Sequence, residues 1–186
     1  DRTENVALTP GSDAADLNFS WYSAGKGTPA VKVWKDGSKS SAKVVTGNAE
    51  AISAENWQGK SYSAANKVNI ADYFEENTQY HYQYTDNYTG DDSIWSAEYD
   101  YTTKATDKFS VILTGDPQVG ASGSSSDYSA NDASVARDAY NWNKTMQQAL
   151  KTCPDASFLL SAGDQINQSG ATKDNDKKTR ESEYAA

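Results

Sequence analysis

Asp116 and Asp164 each follow a glycine at the end of a short apolar run. The first run is Phe109-Ser110-Val111-Ile112-Leu113, continued by Thr114-Gly115-Asp116-Pro117-Gln118. The second is Ser157-Phe158-Leu159-Leu160-Ser161, continued by Ala162-Gly163-Asp164-Gln165-Ile166-Asn167. Runs this short and this apolar read as buried strands, and a helical pattern between them makes a β-α-β unit with both strands parallel. Parallel strands bring their carboxyl ends to one edge of the sheet, where α/β proteins bind ligands. Asp116 and Asp164 are therefore expected to point into one crevice. Two carboxylates held together repel unless a cation lies between them, so the pair asks for metal.

The elements that must position this pair lie between the two runs. Residues 119–131 are rich in Gly and Ser and read either as a solvated linker or as a mobile rim over the crevice. Asn131 or Asp132 is placed to cap a helix. Val135, Ala139, Trp142, Met146 and Ala149/Leu150 recur at spacings of four and three, which puts them on one face. That face is expected to pack on the sheet, with Trp142 and Met146 in the core and outside any site. Pro154-Asp155 stops the helix. Cys153, the single cysteine, sits at the helix end. It excludes an internal disulfide and reads as a small, partly buried side chain with no nucleophilic role.

The 186 residues carry a net charge of −9. That balance argues against nucleic acid or an anionic membrane as partner. No apolar run approaches the roughly 18–20 residues that span a bilayer. The start Asp1-Arg2-Thr3-Glu4, without an initiating Met, is expected of a mature end left after removal of a signal peptide. Low cysteine and abundant Ser, Thr, Asn and Tyr fit an exported, extracellular or cell-surface bacterial protein.

Residues 1–106 read as all-β. Val6-Ala7-Leu8-Thr9-Pro10-Gly11 is a short edge segment. Leu17, Phe19 and Trp21 alternate on one face, as do the residues of Val31-Lys32-Val33-Trp34 and of Tyr80-His81-Tyr82-Gln83-Tyr84. Lys43-Val44-Val45, Tyr62 with Lys67-Val68-Asn69-Ile70, and residues 94–103 add further strands. Seven or so strands with turns every 8–12 residues suggest an immunoglobulin or fibronectin type III sandwich. Phe19, Trp21, Trp34, Tyr82, Trp95 and Tyr101 are expected to fill its core and cover its faces; a sugar-binding aromatic platform is the other reading. His81, the only histidine, faces opposite to Tyr80 and Tyr82 and reads as a surface or cross-strand residue.

Gly115-Asp116-x-Gln118 followed by Gly163-Asp164-x-x-Asn167 resembles the first two motifs of the calcineurin-like metallophosphoesterases. Their pattern is Asp-x-His, then Gly-Asp-x-x-Asp/Asn, then Gly-Asn-His-Asp/Glu and Gly-His-x-His. The first half is similar to the N-terminal fibronectin-like domain of purple acid phosphatases. The matching landmarks are Asn18-Phe19-Ser20-Trp21, Val31-Lys32-Val33-Trp34, Asn77-Thr78-Gln79-Tyr80-His81-Tyr82, Trp95-Ser96 and Tyr101-Thr102-Thr103. The resemblance implies a site for two divalent or trivalent metal ions (Fe, Zn or Mn) acting on a phosphate ester. Asp116 would hold the first metal and Asp164 would bridge both. Gln118 stands where many relatives have a His ligand, and its amide oxygen suits a harder cation. Asn167 stands where purple acid phosphatases have a Tyr that ligates iron. Its place here is behind the ligands, supporting them, and no Fe(III)–tyrosinate colour is expected.

The resemblance also implies an incomplete set. Neither Asn-His nor the late histidines are present, and no catalytic residue is assigned in this chain. The expected organisation is a fibronectin III-like sandwich over residues 1–106, then the first β-α-β part of an incomplete α/β metallophosphoesterase domain over residues 107–186. Glu183-Tyr184-Ala185-Ala186 looks like the first part of a helix that leads on to Gly-Asn-His in relatives. Two strands and one helix cannot cover both faces of a parallel sheet, so the chain alone is expected to be inactive, its second domain either completed by a companion C-terminal polypeptide or partly exposed. A non-catalytic adhesion or carbohydrate-binding module is the alternative.

Overall fold

A computed structural model describes residues 6–56, 58–122, 132–168 and 174–186. The expected processed end at residues 1–4, the loop residues 123–131 and the polar residues 169–173 lie outside these. The chain folds as two compact units, one running up to Ala51 and from Ser63 to Phe109, the other comprising Ile52–Tyr62 and Ser110–Ala186. No helix among the described residues is long and apolar enough to cross a membrane.

Eight strands precede residue 106 among the described residues. They are β1 (Ala7–Pro10), β2 (Leu17–Ser23), β3 (Ala30–Lys35), β4 (Lys43–Thr46), β5 (Asn48–Glu55), β6 (Ser61–Ile70), β7 (Gln79–Thr85) and β8 (Tyr99–Thr102). They form two four-stranded sheets, ordered β1-β2-β6-β5 and β4-β3-β7-β8. Strict alternation along β2 turns Leu17, Phe19 and Trp21 inward. The antiparallel register sets them beside Ile70, Val68 and Asn66 of β6. In the second sheet Val31 and Val33 stand beside Tyr84 and Tyr82. The sheets meet through these rings: Phe19 meets Tyr82 edge-on at 5.2 Å and Trp21 meets Tyr84 at 5.0 Å. Such pairs contribute about 0.5–1.5 kcal/mol beyond the area they bury. The buried indole of Trp21 donates to Asp86 Oδ1 at 2.7 Å, and the Asn66 amide donates to Ser23 Oγ at 2.8 Å. The result is a β-sandwich.

Several expectations need correction here. β5 has no apolar alternation of its own; it exists because β6 offers it an edge to pair with. Residues 94–98 do not form a strand, and Ile94 is 88% exposed. Trp34 covers a face, as expected: it is buried on the outer side of its sheet, stacked on His81 and covered by the Lys39 ammonium. Trp95 is only half-buried and lies under the Lys32 ammonium, and Tyr101 is half-buried at the core's margin. The two outer tryptophans are thus covered by cations and do not present a bare aromatic platform.

His81 is a cross-strand clamp. Its Nδ1 lies 2.7 Å from Asp100 on β8 and its Nε2 lies 3.0 Å from Asp36 in the turn after β3. Glu98 stands 3.4 Å from Nδ1 and also pairs with Lys39. The hydrogen bond to Asp36, with Asp100 and Glu98 behind it, raises the imidazole pKa above its usual value although partial burial opposes this.

The second unit contains β9 (Ser110–Thr114), α1 (Asp132–Thr152), β10 (Ala156–Ser161) and α2 (Asp174–Tyr184). β9 and β10 pair in parallel, Ile112 beside Leu159 and Thr114 beside Ser161. The expectation that both strands are buried is not met: Leu113 is 69% exposed and Leu160 53%. Two strands with α1 leave apolar side chains uncovered, since a parallel sheet needs layers on both faces. The stripe Val135, Ala139, Trp142, Met146 and Ala149 is the less exposed side of α1, yet only Val135 is fully buried and Leu150 is 56% exposed. Trp142 and Met146 are half-buried and not core.

Two measurements test this packing. Phe19→Ala should lower unfolding free energy by about 3–5 kcal/mol in urea titration, because the cavity opens between two aromatic layers. For His81, a pKa raised on folding means its stabilisation is fully present below about pH 6.5 and fades as pH rises through the folded value. His81→Gln should therefore cost up to about 1 kcal/mol in urea melts at pH 5 and progressively less toward pH 9.

Candidate metal centre

The β9–β10 ladder does not stop at the strand ends. Ala162 N–H donates to the Thr114 carbonyl at 2.7 Å, and Asp116 N–H to that of Gly163 at 3.2 Å. Gln118 N–H then donates to the Asp164 carbonyl at 2.9 Å and Val119 N–H to that of Gln165 at 3.2 Å, while Asn167 N–H returns to the Val119 carbonyl at 3.1 Å. Val119 and Ile166 form a parallel bridge at the end of this run. The two motif loops are thus zipped together by backbone hydrogen bonds, which places Asp116 and Gln118 on one strand of the zip and Asp164 and Asn167 on the other.

The zip bends sharply. Asp116, Gln118 and Asp164 have φ of 51°, 40° and 46°, and Gly163 has φ of 117°. Left-handed backbone costs an L-residue about 1–2 kcal/mol, less for Asp, whose short carboxylate bonds locally. Gln has no such relief. Strain of this kind persists where surrounding bonds over-determine it, and it clusters at functional sites.

The side chains face solvent: Asp116, Gln118 and Asp164 are exposed or nearly so and Asn167 is half-buried. The Gln118 amide reaches Asp164 Oδ2 at 3.5 Å. Among the described residues no group of three or more His, Cys, Asp or Glu is placed to hold a metal. His81 belongs to the other unit and is engaged by Asp36 and Asp100. The four residues offer carboxylate and amide oxygens only, a donor set for hard cations.

Further side chains, not singled out from sequence, hold the loops. Asp138 on α1 accepts from Gly120 N–H at 2.9 Å and Ser122 N–H at 3.1 Å, and its other oxygen takes the Ser122 hydroxyl. Ser134 Oγ donates to the Gly120 carbonyl at 3.2 Å. Glu183 on α2 accepts from Gln168 N–H at 2.7 Å. Burial raises the Glu183 pKa, and the backbone N–H groups of Gln168 and Asn167 pull the other way. The only sequence signal for the first two was a polar Ser134/Asp138 pair, four apart, flanking the apolar stripe of α1. The sequence places Glu183 only on the helix that Glu183-Tyr184-Ala185-Ala186 begins, with no sign of this contact.

No protein-family model matches the chain, and no curated protein matches it. Among solved structures it is similar to purple acid phosphatase PPD1 isolated from yellow lupin (Lupinus luteus) seeds, with a TM-score of 0.60 and 15% identity. The match covers 87% of this chain and 29% of that one, so the chain spans less than a third of that protein's length. The likeness is one of fold: the chain has a fold related to that of a purple acid phosphatase.

Replacing Gln118 by glycine should release the strain at φ 40°. Gln118→Gly should raise the thermal stability of the second unit by about 1 kcal/mol, even after the backbone entropy that glycine adds to the unfolded chain. Differential scanning calorimetry of the two proteins reads this directly.

Proposed function

We propose that this chain is the N-terminal part of an exported, metal-dependent phosphoesterase of the calcineurin-like, purple acid phosphatase-related kind. One observation carries the reading: two Gly-Asp strand ends, zipped side by side, on a fold shared with a purple acid phosphatase over 87% of the chain. Supporting it is the order of strands. Lettered A to G with β4 as C′, the sheets read A-B-E-D and C′-C-F-G, the arrangement of immunoglobulin-like sandwiches. A fibronectin III-like domain over residues 1–106 then precedes the opening β-α-β part of the catalytic domain over residues 107–186.

In this reading Asp116, Asp164 and Gln118 would hold the metal ions through their carboxylate and amide oxygens. Asn167 supports the Asp164 loop from behind. Bound ions would supply Lewis-acid charge against the phosphoryl oxygens of a phosphate ester. The chain's own part is to fix two carboxylates on one rigid backbone frame and to leave them open to solvent and substrate. Missing histidine ligands and a general acid come from a companion C-terminal polypeptide. The exposed Leu113, Leu159 and Leu160 are the surface on which its strands and helices complete the sheet.

The test is turnover of p-nitrophenyl phosphate by this chain together with its C-terminal companion, in Mn²⁺, Zn²⁺ or Fe²⁺. The chain alone should be inactive. Asp164→Asn in the complete protein should lower kcat/KM by about 100-fold or more, the scale of losing one preorganised electrostatic group. Unchanged turnover in that variant, with an unchanged melting curve, would overturn the reading.

A further inference from the structure

Glu183 is a buried acid in the second unit. It is 3% exposed, and its Oε1 has no hydrogen-bond partner among the described residues. It lies at the end of α2 (Asp174–Tyr184), where the helix dipole disfavours negative charge. A buried carboxylate costs several kcal/mol unless its oxygens are satisfied. Neither helix formation nor solubility accounts for an acid at this place. An apolar residue of the same shape would bury more cheaply.

What the side chain touches is the loop that follows β10. Its Oε2 accepts the Gln168 N–H at 2.7 Å. The neighbouring Asn167 N–H donates to the Val119 carbonyl at 3.1 Å. Val119 is buried and belongs to the first motif's strand of the zip, one residue beyond Gln118. Glu183 therefore grips the point where the two motif loops are joined, three residues beyond Asp164. Asp138 does the equivalent for the first loop at lower cost, being partly exposed with both oxygens satisfied.

The helix that carries Glu183 is itself pinned. Ser182 Oγ accepts the Glu55 N–H at 3.0 Å and donates to the Lys178 carbonyl at 2.7 Å. Glu55 lies in Ile52–Tyr62, the hairpin segment that belongs to this unit. A peptide N–H, a serine and a buried carboxylate thus form one connected series ending at the Asn167–Gln168 backbone.

We infer that Glu183 is a positioning residue, whose buried carboxylate fixes the Asp164–Asn167 loop so that Asp164 stands opposite Gln118 and Asp116. The inference rests on the metal-centre reading above for its purpose, but not for its geometry. It names a role for an acid that touches neither metal nor substrate and acts only through backbone N–H groups.

The test uses the 186-residue chain, amide hydrogen exchange read by NMR, and Mn²⁺ alone as probe, titrated by water-proton relaxation. Glu183→Met keeps the shape and removes both acceptors; Glu183→Gln keeps one. In Glu183→Met the Asn167 and Gln168 amides should lose protection, and Mn²⁺ binding should weaken by about 10-fold or more, the usual cost of losing a residue that orients a ligand. Glu183→Gln should keep the protection and bind Mn²⁺ close to the parent. Equal protection of both amides in the parent and in Glu183→Met overturns the positioning role. If Glu183→Met does not fold, Glu183→Leu takes its place: unchanged protection at Gln168 in the folded variant overturns it. A parent that binds no Mn²⁺, or binds it equally after Asp164→Asn, overturns the metal-centre reading instead, and the exchange data still decide the role of Glu183.

Discussion

The parallel register between β9 and β10 governs the candidate site. Thr114 lies beside Ser161, and from that pairing the backbone bonds run on through Asp116, Gln118 and Val119 to Asn167. A slip of one residue would turn alternate side chains to the opposite face and separate the two aspartates. The register is held at one end by apolar side chains of the strands and at the other by the buried Val119. Three left-handed residues in so short a stretch are the consequence. The chain has to leave the sheet abruptly on both strands to set acidic side chains at its edge.

The sandwich is built on a different principle. Its specificity comes from aromatic rings that interlock across two sheets, Phe19 with Tyr82 and Trp21 with Tyr84. Large flat side chains bury much surface at little rotamer cost, so a small domain gains stability without disulfides. Polar groups inside are paired locally, as with Asn66 and Ser23. Outside, cations and His81 cover the outward-facing indoles, so the outer face of the second sheet is sealed by charge and not by a further layer.

Alternation made much of this legible in the sequence. Leu17-Phe19-Trp21 and Tyr80-Tyr82-Tyr84 announce strands because period-two burial leaves no other solution. β5 was not legible: Asn48-Ala49-Glu50-Ala51-Ile52-Ser53-Ala54-Glu55 has weak strand propensity, and its neighbour decides its conformation. Residues 94–98 misled for the opposite reason. They carry strand-like residues, but Ser96 ties them to β7 in a mixed way: its N–H donates to the Tyr84 carbonyl at 2.9 Å, its hydroxyl accepts the Tyr84 N–H at 3.0 Å and its carbonyl accepts the Gln83 side-chain amide at 2.8 Å. The parallel pairing of the two Gly-Asp strand ends was legible because strand direction follows from local pattern. The contact of Glu183 was not legible because its partner is the backbone of Gln168, and a backbone partner leaves no trace in side-chain spacing.

Membership of Ile52–Tyr62 in the second unit has a consequence for how the protein is handled and inherited. The polypeptide passes between the units at 51/52, 62/63 and 109/110, so neither is a contiguous segment of the gene product. A cut near residue 106 would leave Ile52–Tyr62 on one fragment and α2 on the other, and would strip α2 of the Glu55 N–H bound to Ser182. Recombination or truncation that treats the two halves as exchangeable cassettes would thus remove a strut from the half that is meant to keep its shape.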